Sequence, residues 1–181
     1  SMGNIDATST TSTTEPRLGG TVYAVGESVM LGAKNALEAG GVVVDAEKSR
    51  QGTAIAEIIE RMRAEGIIEN VIVIQTGTNG PVSKDTFDRI MKVLPAETTP
   101  LVVFLTVRAP RAWIDPNNEL IRALPDEYPN VRVLDWAVES DAIESELSRS
   151  DGGIHLATRA AMQYYANLVF DAIERPELKI E

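Results

Sequence analysis

The sequence predicts an α/β fold, a three-layer α/β/α arrangement around a five-stranded, mostly parallel sheet. Five short apolar runs, at 21–26, 42–45, 71–74, 101–107 and 131–135, are rich in Val, Ile and Leu and read as strands. Between them lie segments whose apolar residues recur at helical spacing. Strands that alternate with helices build a doubly wound sheet whose right-handed crossovers cover both faces. In such sheets ligands bind off the carboxyl ends of the strands. The residues just after each strand are therefore where chemistry is sought.

The first strand, Val22-Tyr23-Ala24-Val25, is preceded by Gly19-Gly20 and stops at Gly26. A helix is predicted over 29–39, with Val29, Leu31, Ala33, Ala36 and Leu37 as its apolar set, and Gly40-Gly41 ends it. After the second strand a helix spans 53–64, with Ile55, Ile58, Ile59 and Met62 at helical spacing and Gly66 as its stop. The third strand, Val71-Ile72-Val73-Ile74, is continuously apolar, as expected for a strand buried on both faces. A helix over 83–94 turns Phe87, Ile90, Met91 and Leu94 inward and ends before Pro95. Pro100 introduces the fourth strand, and a helical segment covers 116–124. The fifth strand is followed by short helical pieces over 137–147 and a long helix over 157–174, which stops at Pro176.

The 181 residues suffice for one domain with a real core, assigned to 18–181. Residues 3–17 are polar and Thr/Ser-rich with almost nothing to bury, and read as a disordered linker of the kind that tethers extracellular domains. Ser1-Met2 reads as an expression scar, which implies that an upstream segment has been removed. A formal net charge of −10 argues against nucleic acid and anionic membrane surfaces as partners, since both demand a basic footprint. No apolar run is long enough for a membrane-spanning helix. The absence of cysteine excludes disulfides and thiolate metal sites.

Three post-strand segments and one later loop hold candidate chemistry. Ser28 follows the first strand on a tight strand-to-helix turn, which presents its hydroxyl beside free helix N–H groups, a setting for a nucleophile that generates an oxyanion. The same position suits a plain N-cap serine. After the second strand, Gly52 in Arg50-Gln51-Gly52 offers an unhindered N–H, or marks only the start of a helix. After the third, Asn79 lies in Gly77-Thr78-Asn79-Gly80, either as an amide donor into the crevice or as an ordinary Asn-Gly turn. The single histidine, His155, follows a glycine-containing loop with Asp151 close enough to orient its imidazole. Arg50, Arg108 and Arg111 are candidates to bind a substrate carboxylate, with salt bridging as the alternative. Trp113 and Trp136 are candidates to stack on sugar rings, with core packing as the alternative.

The order Ser28, Gly52, Asn79, Asp151-His155 resembles the SGNH (GDSL-type) hydrolase superfamily. The blocks Ala24 to Ala33, Ser49-Arg50-Gln51, Gly77 to Val82, Val107 to Trp113 with Asn117-Asn118, Asp135-Trp136 and Asp151 to Leu156 look more specifically like the SGNH domain attached to family 3 membrane acyltransferases, which O-acetylate bacterial cell-surface polymers. The likeness covers about residues 20–172. It implies a flavodoxin-like sheet and acyl transfer through an acyl-enzyme on Ser28. His155 and Asp151 complete the catalytic set, Ser28, Gly52 and Asn79 form the oxyanion hole, and no metal or organic cofactor takes part. The implied partners are a cell-surface glycan such as peptidoglycan and an integral-membrane domain that delivers the acyl donor. The implied location is outside a bacterium, tethered to its plasma membrane through the N-terminal linker.

Two departures stand out. Glu27 occupies the place where the family usually has aspartate, and Gly152 occupies the place of the usual catalytic aspartate, which leaves Asp151 four residues before His155. A glycine bulge would bring Asp151 back within reach. A plain acetyl esterase uses the same residues, and a non-catalytic glycan-binding or sensory module would retain the fold with the altered site. A nucleotide-binding domain is disfavoured by the lack of a G-x-G-x-x-G or Walker motif.

Overall fold

Strands β1 (Val22–Gly26), β2 (Val43–Ala46), β3 (Val71–Gln75), β4 (Leu101–Leu105) and β5 (Val131–Leu134) form one sheet in the order β2-β1-β3-β4-β5. Every pairing is parallel. The computed structural model describes residues 18–181; the predicted linker 1–17 lies outside them. The order reverses between β1 and β3, so a crevice opens above their carboxyl ends. Both central strands β3 and β4 are buried along their whole length, which is why their sequences show no alternation. Edge strand β2 alternates exposed and buried residues.

Two cores lie on opposite faces of the sheet. Helices α1 (Ser28–Gly32), α2 (Lys34–Ala39) and α7 (Arg159–Ala172) bury Val29, Met30, Leu37, Tyr165 and Phe170 against one face. Helices α3 (Gly52–Ala64), α4 (Lys84–Lys92) and α5 (Ile114–Glu127) bury Ile55, Ile59, Phe87, Ile90 and Ile121 against the other. The short helix α6 (Trp136–Glu139) and a 3-10 segment (Ser140–Glu146) lead into the loop before α7. Among the described residues no helix is long and apolar enough to cross a membrane.

The single helix expected over 29–39 is two. The chain breaks at Ala33 (φ −97°, ψ 3°), directly after Gly32, a weak helix former. The break lets α1 seat Val29 and Met30 and α2 seat Leu37 on one core. Helix α5 starts earlier and ends later than the apolar pattern indicates. Pro116 falls in its first turn, where a missing N–H costs nothing, while Pro125 lies inside the helix near its end and forfeits one intrahelical bond.

Candidate active site

Ser28 is the first residue of α1, and Glu27 occupies the cap position without a side-chain capping bond. Ser28 is thus not the helix cap. The cap function comes from a neighbouring strand: the Met30 N–H donates to Gln75 Oε1 at 2.9 Å, and the Tyr165 hydroxyl donates to the same oxygen at 3.2 Å. The last residue of β3 therefore pins the helix that carries Ser28 and leaves the serine hydroxyl free for other partners.

That hydroxyl meets His155. Ser28 Oγ lies 2.9 Å from His155 Nε2, and His155 Nδ1 lies 2.6 Å from Asp151 Oδ2. The Asp151 carboxyl is held below the usual carboxylate range. Partial burial pushes it up, but the Ile154 N–H and the imidazole outweigh that. An ionised carboxylate only accepts, so Nδ1–H donates to Asp151 and Nε2 is left to accept from Ser28. The Asp151 position depends on its loop. Gly152 and Gly153 both take positive φ, +79° and +90°. This tight turn lets Asp151 Oδ1 accept from the N–H groups of Gly153 (3.1 Å) and Ile154 (2.9 Å) while Oδ2 faces the ring. The loop is closed at its base by an antiparallel bridge between Leu147 and Leu156. The glycine bulge thus brings Asp151 to the ring from four residues upstream.

Asn79 sits on a loop held from below by α5. Asn117 donates to the carbonyls of Gly77 and Gly80, both at 2.9 Å, and accepts from the Val82 N–H at 2.9 Å. Trp113 Nε1 donates to the Thr78 carbonyl at 3.0 Å, and Gln51 Nε2 to that of Asn79 at 3.1 Å. The Asn79 amide itself donates to Glu27 Oε2 at 3.3 Å and to the Arg50 carbonyl at 3.0 Å. Glu27, the residue before Ser28, is completely buried. Burial pushes its carboxyl up to about 7, and the nearby Thr78 and Gly77 groups offset this only in part. Ser28, Lys48, Ser49, Asn79 and His155 together line a cleft of about 380 Å³. Ser49 holds a left-handed backbone (φ +63°) on its wall.

Three substrate-binding expectations are corrected. Trp136 is core: it is 1% exposed and packs edge-on against Tyr165, with ring centroids 5.0 Å apart, so no sugar ring reaches it. The Arg50 guanidinium is occupied by Asp45, Glu47 and the carbonyls of Gly26 and Asp45, and it braces the two strand ends. Arg108 is occupied by Ser140, Asp141 and Glu144. In a chain with 27 acidic and 17 basic residues the strand-end arginines find acids nearby. Trp113 is half-buried and serves the Asn79 loop through its indole N–H. Gly52 starts α3 and is buried, its Cα so close to Val82 that a Cβ would stand 2.8 Å from Cγ1.

Other contributors were not singled out from sequence. Lys48, which makes no ion pair among the described residues, lines the cleft, and no pattern in the chain marks it. Gln75 carried a signal that was available: a polar residue that ends a buried strand needs a partner.

The chain's fold is that of the SGNH (GDSL-type) hydrolases. It is similar to the C-terminal catalytic domain of Streptococcus pneumoniae peptidoglycan O-acetyltransferase A, solved with a methylsulfonyl adduct. The TM-score is 0.75 at 21% identity, over 90% of this chain and 97% of that one. A lipolytic G-D-S-L family member from Veillonella parvula superposes with TM-score 0.65 at 17% identity, over 86% of this chain and 98% of that one. An α/β hydrolase from the Lake Arreo metagenome gives TM-score 0.65 at 14% identity, over 87% and 96%. No family model and no curated protein sequence matches the chain.

Proposed function

We propose that this protein is a serine acyltransferase that moves an acetyl group onto a hydroxyl of a cell-surface glycan such as peptidoglycan. One observation carries the reading: the hydrogen-bonded series Ser28–His155–Asp151, with links of 2.9 and 2.6 Å, opens on a cleft. Ser28 Oγ attacks the acetyl carbonyl carbon as its proton passes to His155 Nε2, while Asp151 stabilises the imidazolium. The tetrahedral oxyanion is held by the N–H groups of Ser28 and Gly52 and the Asn79 amide. Collapse breaks the bond to the donor oxygen, which leaves with the proton from His155. The acceptor hydroxyl then gives its proton to His155 as it attacks the acetyl-serine, and Ser28 is regenerated.

The acetyl and glycan assignments rest on the fold shared with the pneumococcal domain and on the sequence blocks quoted above. Consistent with them, we place the protein outside a bacterial cell, tethered by its N-terminal segment to a membrane domain that supplies the donor. Acetyl ester hydrolysis is a second reading, and the geometry favours it where no acceptor is bound. The His155 side chain is 46% exposed, so water reaches the acyl-enzyme.

Release of acetate from a chromogenic acetyl ester, with and without a soluble glycan oligomer, tests both. Ser28→Ala is expected to lose about 10⁴- to 10⁶-fold in kcat, and an acetylated oligomer identifies transfer. Turnover that survives Ser28→Ala defeats the proposal.

A further inference from the structure

Glu27 is a titratable group that the steps above leave unused, and it is poorly satisfied. It is wholly buried, Oε1 has no hydrogen-bond partner, and Oε2 receives only two long bonds, from Asn79 Nδ2 and the Thr78 N–H, both at 3.3 Å. The Thr78 hydroxyl is near enough to draw the carboxyl pKa down, yet it too makes no completed bond. A buried carboxylate in this state is costly, and taking up a proton removes the charge that burial penalises.

Asn79 shows the other half of the arrangement. A side-chain amide has two hydrogens, and here one goes to Glu27 Oε2 and the other to the Arg50 carbonyl. Neither is left for an oxyanion at Ser28. We infer that Glu27 is a positioning residue that sets the direction of the Asn79 amide: ionised, its charged Oε2 holds the amide away from the cleft; protonated on Oε1, it leaves Oε2 a weaker neutral acceptor, and the amide hydrogen turns to the developing oxyanion. The inference rests on the acyl-transfer reading.

The groups around Glu27 allow this proton to come and go near neutrality. The β3 end and the loop after it supply Gln75, Thr76, Thr78 and Asn79, all uncharged. Helix α7 supplies Tyr165, whose buried phenol stays protonated because burial, and then the Glu27 charge, push it up. The loop after β2 supplies Arg50, but its guanidinium is committed to Asp45, Glu47 and the Gly26 carbonyl. His155 is bonded to Ser28 and to Asp151. Among the described residues no cation pairs with Glu27, and burial raises its pKa to about 7. Protonation exchanges one proton with solvent and changes no covalent bond.

The test is the pH profile of kcat for acetyl ester turnover by wild type, Glu27→Gln, Glu27→Asp and Asn79→Ala, run beside labelling of Ser28 with a sulfonyl fluoride. Wild-type kcat is expected to fall about tenfold per pH unit above Glu27 ionisation, with KM little changed, because the oxyanion exists only in the transition state. Glu27→Gln keeps the side chain uncharged and should lose that falling limb. Asn79→Ala should be lower by about 10²- to 10³-fold with no falling limb, since no amide remains to be captured. Should Glu27→Gln fail to fold, Glu27→Asp carries the same test: its carboxylate stops one methylene short of the amide, and the limb should vanish. Labelled Ser28 with coincident wild-type and variant profiles overturns the inference alone. A Ser28 that takes no label, with background turnover only, overturns the acyl-transfer reading beneath it.

Discussion

Asp151 and Glu27 both lie close to Ser28, one through His155 and one as its chain neighbour, and the protein treats them in opposite ways. Asp151 lies in a partly exposed loop. Two backbone N–H groups and the His155 ring satisfy it, and its pKa is drawn down. Glu27 is sealed between β1, the Asn79 loop and α7, has two long bonds and an empty oxygen, and is pushed up to about 7. The difference shows that burial, and how far nearby donors offset it, decides which carboxyl stays charged. Two carboxyls whose surroundings drive their pKa values apart can take separate tasks: here one holds the imidazole and the other sits behind the Asn79 amide.

The comparison can be broken most sharply at Asp151. Asp151→Asn removes the acceptor that holds the His155 tautomer and should lower kcat about 10⁴-fold at neutral pH, with little change in the thermal midpoint. Steady-state kinetics beside calorimetry reads both, and an active variant would reduce the site to a serine–histidine pair.

Glu27 sharpens the other side through stability. The native state keeps the Glu27 proton to higher pH than the unfolded chain does, with a pKa of about 7 against 4.5. Wild-type stability should therefore fall as pH climbs through that window, by about 3 kcal/mol at most. Denaturant unfolding of Glu27→Gln should show that fall removed, so the variant gains on wild type at alkaline pH. Parallel curves would mean that Glu27 is solvated or paired in solution.

The glycine turn is a smaller lever. Gly152→Ala places a Cβ at positive φ and 2.8 Å from Pro110 Cγ, which should cost about 1–3 kcal/mol. It should also lower kcat by moving Asp151, and a kcat loss larger than the midpoint loss is the expected signature. The smallest effect belongs to Arg108→Ala. Its partners Asp141 and Glu144 are largely exposed, so the change should be under about 1 kcal/mol with kcat and KM unaltered. A raised KM for a charged glycan would return Arg108 to the substrate site.

Much of the fold was legible before any coordinates. Apolar runs such as Val71-Ile72-Val73-Ile74 and the helical spacing of Ile55, Ile58, Ile59 and Met62 are local signals, set by which faces must be dry. The split at Ala33 was not, because Gly32 is tolerated within many helices and only the packing of Val29, Met30 and Leu37 on one core requires a change of direction there. Ser28, Asn79 and His155 could be picked out because each follows a tight, glycine-marked turn. The roles offered for Trp136, Arg50 and Arg108 could not be settled that way, since an aromatic or basic residue near a strand end looks the same whether it faces a cleft, a core or an acid.

By itself, the sequence determined the alternating architecture, the two-sided burial of β3 and β4, and the candidate serine, histidine and asparagine, because these depend on residue type and on spacing along one chain. Tertiary structure alone decided that Asp151 reaches His155 over a double-glycine turn, that Gln75 caps the helix of Ser28, and that Glu27 is sealed behind Asn79. Each of these depends on the angle at which separate segments meet, and on whether a polar atom arrives at a partner or at none. Spacing in the chain does not encode that angle; the packing of the two cores against the sheet does.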